Sequence, residues 1–214
     1  MARRILSCAS IIALLLILMA NLSSPVGANV EPLLVDISPQ IIEVDSGFSG
    51  TTIILFGVKS LPGDIIITLR GPEAPTIVRR KRRVAGIWIN RDSVAFRGVP
   101  QFYALASSRP INMILDTNGL TRNQIGSDHI LLNTIWSRTS DEVRAFRKAV
   151  RRARTKEELY APFIGKVVIM DDSLFRATLT LPANLPIGEY VAQTLLVHDN
   201  EVLSQRESRL TVKK

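Results

Sequence analysis

From Val30 onward the chain runs through short apolar stretches closed by turn formers. Leu33–Ile37 is closed by Ser38-Pro39, and Ile41–Val44 by Asp45-Ser46-Gly47. Runs of about four to eight residues bounded by proline, glycine and aspartate predict strands. Thr51–Val58 is apolar at nearly every position, which predicts a strand buried on both faces. After Leu61-Pro62-Gly63, Asp64–Arg70 alternates: Ile65, Ile67 and Leu69 share one face, and Ile66, Thr68 and Arg70 the other. Gly71-Pro72 ends that run, and Thr76–Arg79, Val84–Asn90 and Phe102–Ala106 continue the series.

The period changes at Arg109-Pro110, where proline suits the first position of a helix. Ile111, Met113, Ile114 and Leu115 follow, and Asn118-Gly119 is expected to break that helix. Ser127 or Asp128 can cap a second one, through Ile130, Leu131, Ile135 and Trp136. The third has the clearest signature. Thr139 and Glu142 fit a capping box, and Val143, Phe146, Ala149, Val150 and Ala153 recur on one helical face.

Strand signals return at Lys166–Met170 and at Ser173–Leu181, where Phe175, Ala177, Leu179 and Leu181 face one way. They continue at Tyr190–His198 and, after the turn Asp199-Asn200, at Glu207–Lys213. Leu185-Pro186-Ile187-Gly188-Glu189-Tyr190 resembles the tyrosine-corner region of immunoglobulin-like sandwiches. The expected fold is mainly β: an immunoglobulin-like β-sandwich, one domain over 29–214, with a helical insertion at about 109–160.

Residues 1–28 read differently. Arg3 and Arg4 precede an apolar run from Ile5 to Ala20, and Val26-Gly27-Ala28 matches a signal-peptidase site. The run would span roughly 24 Å as a helix at about 1.5 Å per residue, short of the roughly 30 Å hydrocarbon core. The expectation is a cleaved signal peptide, not an anchor, and an exported, periplasmic protein. The twin arginines lack the context of a Tat signal. Cys8 precedes the apolar stretch instead of following it, against lipidation. It is also the only cysteine, so the exported part is expected to have no disulfide, thiolate metal site or cysteine nucleophile.

The formal charge is +8, which points to an anionic partner. Outside the cytoplasm that means lipid headgroups, an acidic polymer or an acidic protein face, and no nucleic acid. The cations concentrate in two places. Arg79, Arg80, Lys81, Arg82 and Arg83 are consecutive, either a solvated hairpin loop between Thr76–Val78 and Val84–Asn90 or a contact with an anionic membrane surface. The polar face of the third helix carries Arg144, Arg147, Lys148, Arg151, Arg152, Arg154 and Lys156. It is either an ordinary exposed face, its late cations favoured by the helix C-terminus, or a docking surface for acidic lipid or protein.

Other chemistry is sparse. His129 and His198 lack a second histidine at metal spacing. Asp171-Asp172 lacks the further oxygen ligands of a calcium loop and reads as a turn. No G-x-S-x-G elbow or phosphate-cradling glycine loop occurs. Trp88, Phe96, Phe102 and Tyr103 are expected to fill the core. The reading assigns no catalytic residue, no cofactor and no metal.

The stretch Arg79–Ile111, RRKRRVAGIWINRDSVAFRGVPQFYALASSRPI, resembles a family of alphaproteobacterial transmembrane proteins of uncharacterised function. Gly71-Pro72 and Leu185–Tyr190 resemble the same family. The resemblance implies a bacterial source, a signal peptide, an extracytoplasmic domain and, in most members, one C-terminal transmembrane helix; this sequence ends at Lys213-Lys214, before such a helix. It supplies no catalytic residues to carry over. It implies a non-enzymatic domain that assists an inner-membrane protein, such as a sulfite-exporter-like permease. The competing expectations are a binding module for an anionic ligand or lipid surface, and an enzyme with an unrecognised site near His129 or His198.

Overall fold

The computed structural model describes residues 31–136 and 140–214, without the side chains of residues 82, 84, 91 and 140. The expected signal peptide and Thr139 of the expected capping box lie outside the described residues. The described chain is mainly β, built on one curled nine-stranded sheet and a smaller three-stranded one.

The large sheet begins with an interrupted strand. β1 (Leu33–Ser38) and β2 (Ile41–Glu43) are separated only by Pro39 and Gln40, and Pro39 has no N–H to give to a ladder. β1 pairs antiparallel with β3 (Thr51–Lys59), whereas β2 pairs parallel with β12 (Glu201–Lys213). Between these ends lie β10 (Leu174–Leu181), β9 (Gly165–Met170), β7 (Tyr103–Ser107), β4 (Asp64–Arg70) and β11 (Gly188–His198), in the order β1-β3-β10-β9-β7-β4-β11-β12-β2. Its two end strands are thus neighbours in sequence, and the sheet curls so that they meet. Arg206 of β12 donates to the Leu33 carbonyl at 3.2 Å, tying the two ends together.

Curling encloses the first core. Ile53 and Leu55, with Phe175, Ala177, Leu179 and Leu181, face Ile65, Ile67 and Leu69, and Tyr190, Ala192 and Leu196, all buried. Gly57 has no room for a side chain there. An added Cβ would stand 2.6 Å from the Phe175 ring and 2.1 Å from the Leu34 carbonyl oxygen.

A second core lies on the other side of β4, β7 and β11. Ile66, Leu105, Leu195 and Val197 project into it. It is closed by the base of a long hairpin, β5 (Glu73–Val84) and β6 (Ile87–Pro100), through Val94, Phe96 and Val99. The helical segment supplies the rest: α1 (Ile111–Ile114), α2 (Thr117–Arg122), a 3-10 turn (Ser127–His129) and α3 (Ser140–Lys156). β8 (Asn133–Thr134) adds a short third strand to the hairpin.

Several local expectations change. β4 is buried on both faces, because the second core covers the Ile66 side. β3 is the reverse: Ile54, Phe56 and Val58 are exposed, although the unbroken apolar run predicted two buried faces. Asn118-Gly119 does not break a helix but lies inside α2, since the Asp116 carboxylate accepts the Gly119 N–H at 2.6 Å and caps it. The expected second helix reduces to the 3-10 turn followed by extended chain, and α3 leaves Ala153 exposed.

Two polar contacts fix the frame. The Tyr190 hydroxyl donates to the Pro186 carbonyl at 2.6 Å, and burial pushes its pKa well above the ordinary tyrosine value. The Asp64 carboxylate accepts from Ser108 Oγ at 2.8 Å and from the Arg109 guanidinium, which ties the start of β4 to the exit of β7. The Arg109 hydrogen bond is the largest influence on Asp64 and holds its carboxyl below the ordinary 3.8, against the opposing effect of burial.

Tyr190→Phe is expected to lower unfolding stability by about 1 kcal/mol, read as a lower urea midpoint at unchanged slope. Because the folded pKa of Asp64 is depressed, its contribution is complete above the ordinary carboxylate range and is lost as pH falls through the lower folded value. Asp64→Asn should therefore flatten the acid limb of a stability–pH curve.

Candidate functional site

The basic run Arg79–Arg83 is not a loop. It forms the outer half of β5, paired with β6 up to a two-residue turn at Ala85-Gly86. Both turn residues have positive φ, 48° and 85°, the geometry that matches a hairpin's twist and that glycine accepts without strain. Arg83 lies opposite Trp88, Arg82 opposite Ile89, and Val84 opposite Ile87. From the Arg80–Asp92 level to the turn, the hairpin extends about 17 Å, at about 3.3 Å per residue. Trp88 is 64% exposed and Ile87 67% exposed. Of the four aromatic residues expected in the core, Phe96, Phe102 and Tyr103 are buried there, and Trp88 stands at the hairpin tip instead. The separation follows from register: Phe96 lies at the base of β6 beside β8, and Trp88 beyond every covering element.

The cations of α3 divide into two sets. Arg147 Nε donates to the Leu132 carbonyl at 3.1 Å, and Arg151 Nη2 to the Ile130 carbonyl at 3.2 Å. Arg154 reaches the Gln101 side chain and pairs with Glu157 at 3.1 Å. These three are half-buried and hold the helix against the preceding segment and the end of β6. Desolvation pushes the Arg151 pKa down, partly opposed by Asp128. Arg144 pairs with Asp141 in the first turn at 2.9 Å. Lys148 and Arg152 are exposed.

The two basic segments meet. α3 packs on the inner side of β5, where the Arg80 guanidinium lies 5.0 Å from the centre of the Phe146 ring and 3.4 Å from the Asp92 carboxylate. Between helix and hairpin runs a cleft of about 310 Å³, walled by Arg79, Arg80, Lys81 and Arg152 and floored by Val78, Ala145, Phe146 and Ala149. A cation over an aromatic face gains about 0.5–1 kcal/mol when exposed, and this contact orients Arg80 along the cleft. The arrangement suits an anion that carries an apolar portion. Of the residues singled out in sequence, Arg79, Arg80, Lys81 and Arg152 converge here; Arg83 stands nearer the tip, where its Nε donates to the Gly86 carbonyl at 3.2 Å. Arg147 and Arg151 turn inward.

The remaining candidates stay separate. His129 Nδ1 lies 2.9 Å from the Thr121 hydroxyl, beside α2. His198 ends β11, 3.4 Å from the neighbouring Asp199 carboxylate. Asp171 and Asp172 form the β9–β10 turn, with φ of 48° and 53°. Among the described residues no group of three or more histidine, cysteine, aspartate or glutamate side chains is placed to hold a metal ion.

Residues 32–214 match the sequence family described as "Putative transmembrane protein" (Alph_Pro_TM). The chain belongs to that family. The match takes in the hairpin, the helical segment and both cores together. No curated protein matches the chain. No helix among the described residues is long and apolar enough to cross a membrane.

Arg151→Ala is expected to cost about 1–3 kcal/mol, because the buried Ile130 carbonyl loses its donor. Arg152→Ala, at an exposed position, should change stability by less than about 0.5 kcal/mol. Urea unfolding of the two variants separates the bracing cations from the free ones.

Proposed function

We propose that this is a non-enzymatic extracytoplasmic domain that sits on an anionic membrane surface and there assists an inner-membrane protein, such as a permease. The observation that carries the reading is the projecting hairpin, which combines an exposed Ile87-Trp88-Ile89 tip with the cationic strand Arg79–Arg83. Tryptophan favours the membrane interface, where its ring is half in hydrocarbon and its N–H stays wet. Each basic side chain near an anionic leaflet contributes about 1 kcal/mol. Isoleucine and tryptophan at a solvent-exposed tip cost solubility without such a surface. Periplasmic placement rests on the signal-like residues 1–28, and membrane association on the family.

The scaffold that presents the hairpin is an immunoglobulin-like sandwich in this reading. The topology supports it: an interrupted first strand shared between two sheet halves, a parallel pairing of its second piece with the last strand, and a tyrosine whose hydroxyl bonds the carbonyl four residues back. The hairpin and the helical segment are then insertions flanking β7. A second reading, capture of a soluble acidic ligand, is favoured by the cleft between β5 and α3 alone.

Emission of Trp88, measured in a Trp136→Phe background, should shift to the blue on adding vesicles that contain an anionic phospholipid. It should stay unchanged with zwitterionic vesicles, and salt should reverse the shift. Arg79→Gln with Lys81→Gln should weaken co-sedimentation, and Trp88→Ser should weaken it further. Equal behaviour with both vesicle types, or no binding at low salt, would overturn the membrane reading; binding of a soluble polyanion unaffected by Trp88→Ser would favour the second.

A further inference from the structure

The hairpin and its cleft leave a second exposed feature unexplained. The outer face of β1, β3 and β10 carries Leu34 (56% exposed), Phe56 (41%), Val58 (44%), Leu174 (42%) and Ile54 (39%). Single exposed apolar residues are ordinary, but a contiguous patch marks an interaction site. Nothing in the described chain covers it.

The register shows what fits. β3 runs down the middle of the patch, and each of its outward residues has one neighbour on either side. Val58 lies between Leu34 and Leu174, Phe56 between Asp36 and Arg176, and Ile54 between Ser38 and Thr178. Consider a second copy laid face to face on this sheet, related by a two-fold axis running along β3. That rotation preserves height along the strand and exchanges left for right. Leu34 then meets Leu174 of the other copy, Asp36 meets Arg176, and Ser38 meets Thr178, each contact occurring twice. The β3 column meets itself, Phe56 against Phe56. Every pairing is compatible: apolar with apolar, acid with base, hydroxyl with hydroxyl. A two-fold axis crossing the strands at Phe56 would instead set Asp36 on Asp36 and Arg176 on Arg176, so the charges select the first axis.

We infer that this chain forms a symmetric dimer through the outer face of β1, β3 and β10. Self-complementary patches are what a two-fold interface requires, and aligned sheets pack face to face about 10 Å apart. The charges argue against other occupants. Asp36 and Arg176 offset one another, so the patch has no net pull on an anionic bilayer. Arg176 has no ion-pair partner among the described residues, and Asp36 is engaged only with the Ile37 N–H at 2.8 Å and the Gln40 side chain at 3.4 Å. Three strands make a patch at the small end of specific interfaces, so the dimer is concentration-dependent.

Sedimentation equilibrium of the full chain over a range of concentrations tests this. The expected result is a monomer–dimer equilibrium that Phe56→Glu abolishes. Asp36→Arg and Arg176→Asp, each alone, should weaken the dimer by about tenfold, since two-fold symmetry repeats each like-charge contact. The double variant should restore it. Circular dichroism of each variant separates loss of association from loss of fold, and all three positions are on the surface. A monomer at every concentration overturns the inference. So does a dimer indifferent to Phe56→Glu, or one in which the double charge variant is no better than the singles. A chain that stays monomeric alone and associates only with a different protein overturns it equally.

Discussion

The structure depends on two strands, β4 and β11, being apolar on both faces. On one side Ile65, Ile67 and Leu69, with Tyr190, Ala192 and Leu196, close against β3 and β10. On the other, Ile66, Leu195 and Val197 must also leave water. A curled sheet can satisfy only its concave side. The second layer, made of the hairpin base and the helices, is therefore a physical necessity for this sequence. A fully buried isoleucine or leucine contributes about 1.5–3 kcal/mol, and Ile66, Leu195 and Val197 would forfeit that without cover.

The same necessity explains how the basic surface arises. The hairpin must pack its base on β4 and β7, because Val94, Phe96 and Val99 belong to the second core. Its outer half is under no such obligation and carries charge and an aromatic tip instead. α3 must bury Val143, Phe146 and Val150, and doing so turns its Arg152 side toward β5. The basic cleft is thus a by-product of two elements each satisfying its own apolar face. Its cations repel one another, and the Arg80 contacts with Phe146 and Asp92 offset part of that repulsion.

Local chemistry was legible where a few neighbouring residues decide the outcome. The turn leading into Tyr190 was visible in Leu185–Gly188, the turn at Asp199-Asn200 in its residue types, and α3 in the spacing of Val143, Phe146 and Val150. The candidate site was half legible. The two basic segments stood out by composition, but their convergence in one cleft did not, because nothing in a linear pattern relates β5 to α3. Arg147 and Arg151 read like Arg144 and Lys148; only the carbonyls of Leu132 and Ile130 above them separate bracing side chains from free ones. Trp88 could not be told from Phe96, since both sit among alternating residues of one long strand.

By itself, then, the sequence determined the mainly β class, the turn at Asp199-Asn200, the basic segments and the amphipathic third helix, because each follows from backbone preference and from periodicity over a few residues. Tertiary structure alone decided which faces are covered. It gave β4 two buried sides, and left Ile54, Phe56 and Val58 of β3 in water although the run suggested none would be. The physical reason is that burial belongs to pairs of surfaces, not to residues. An apolar side chain states a preference for cover, and the partner that supplies or withholds it is set by topology.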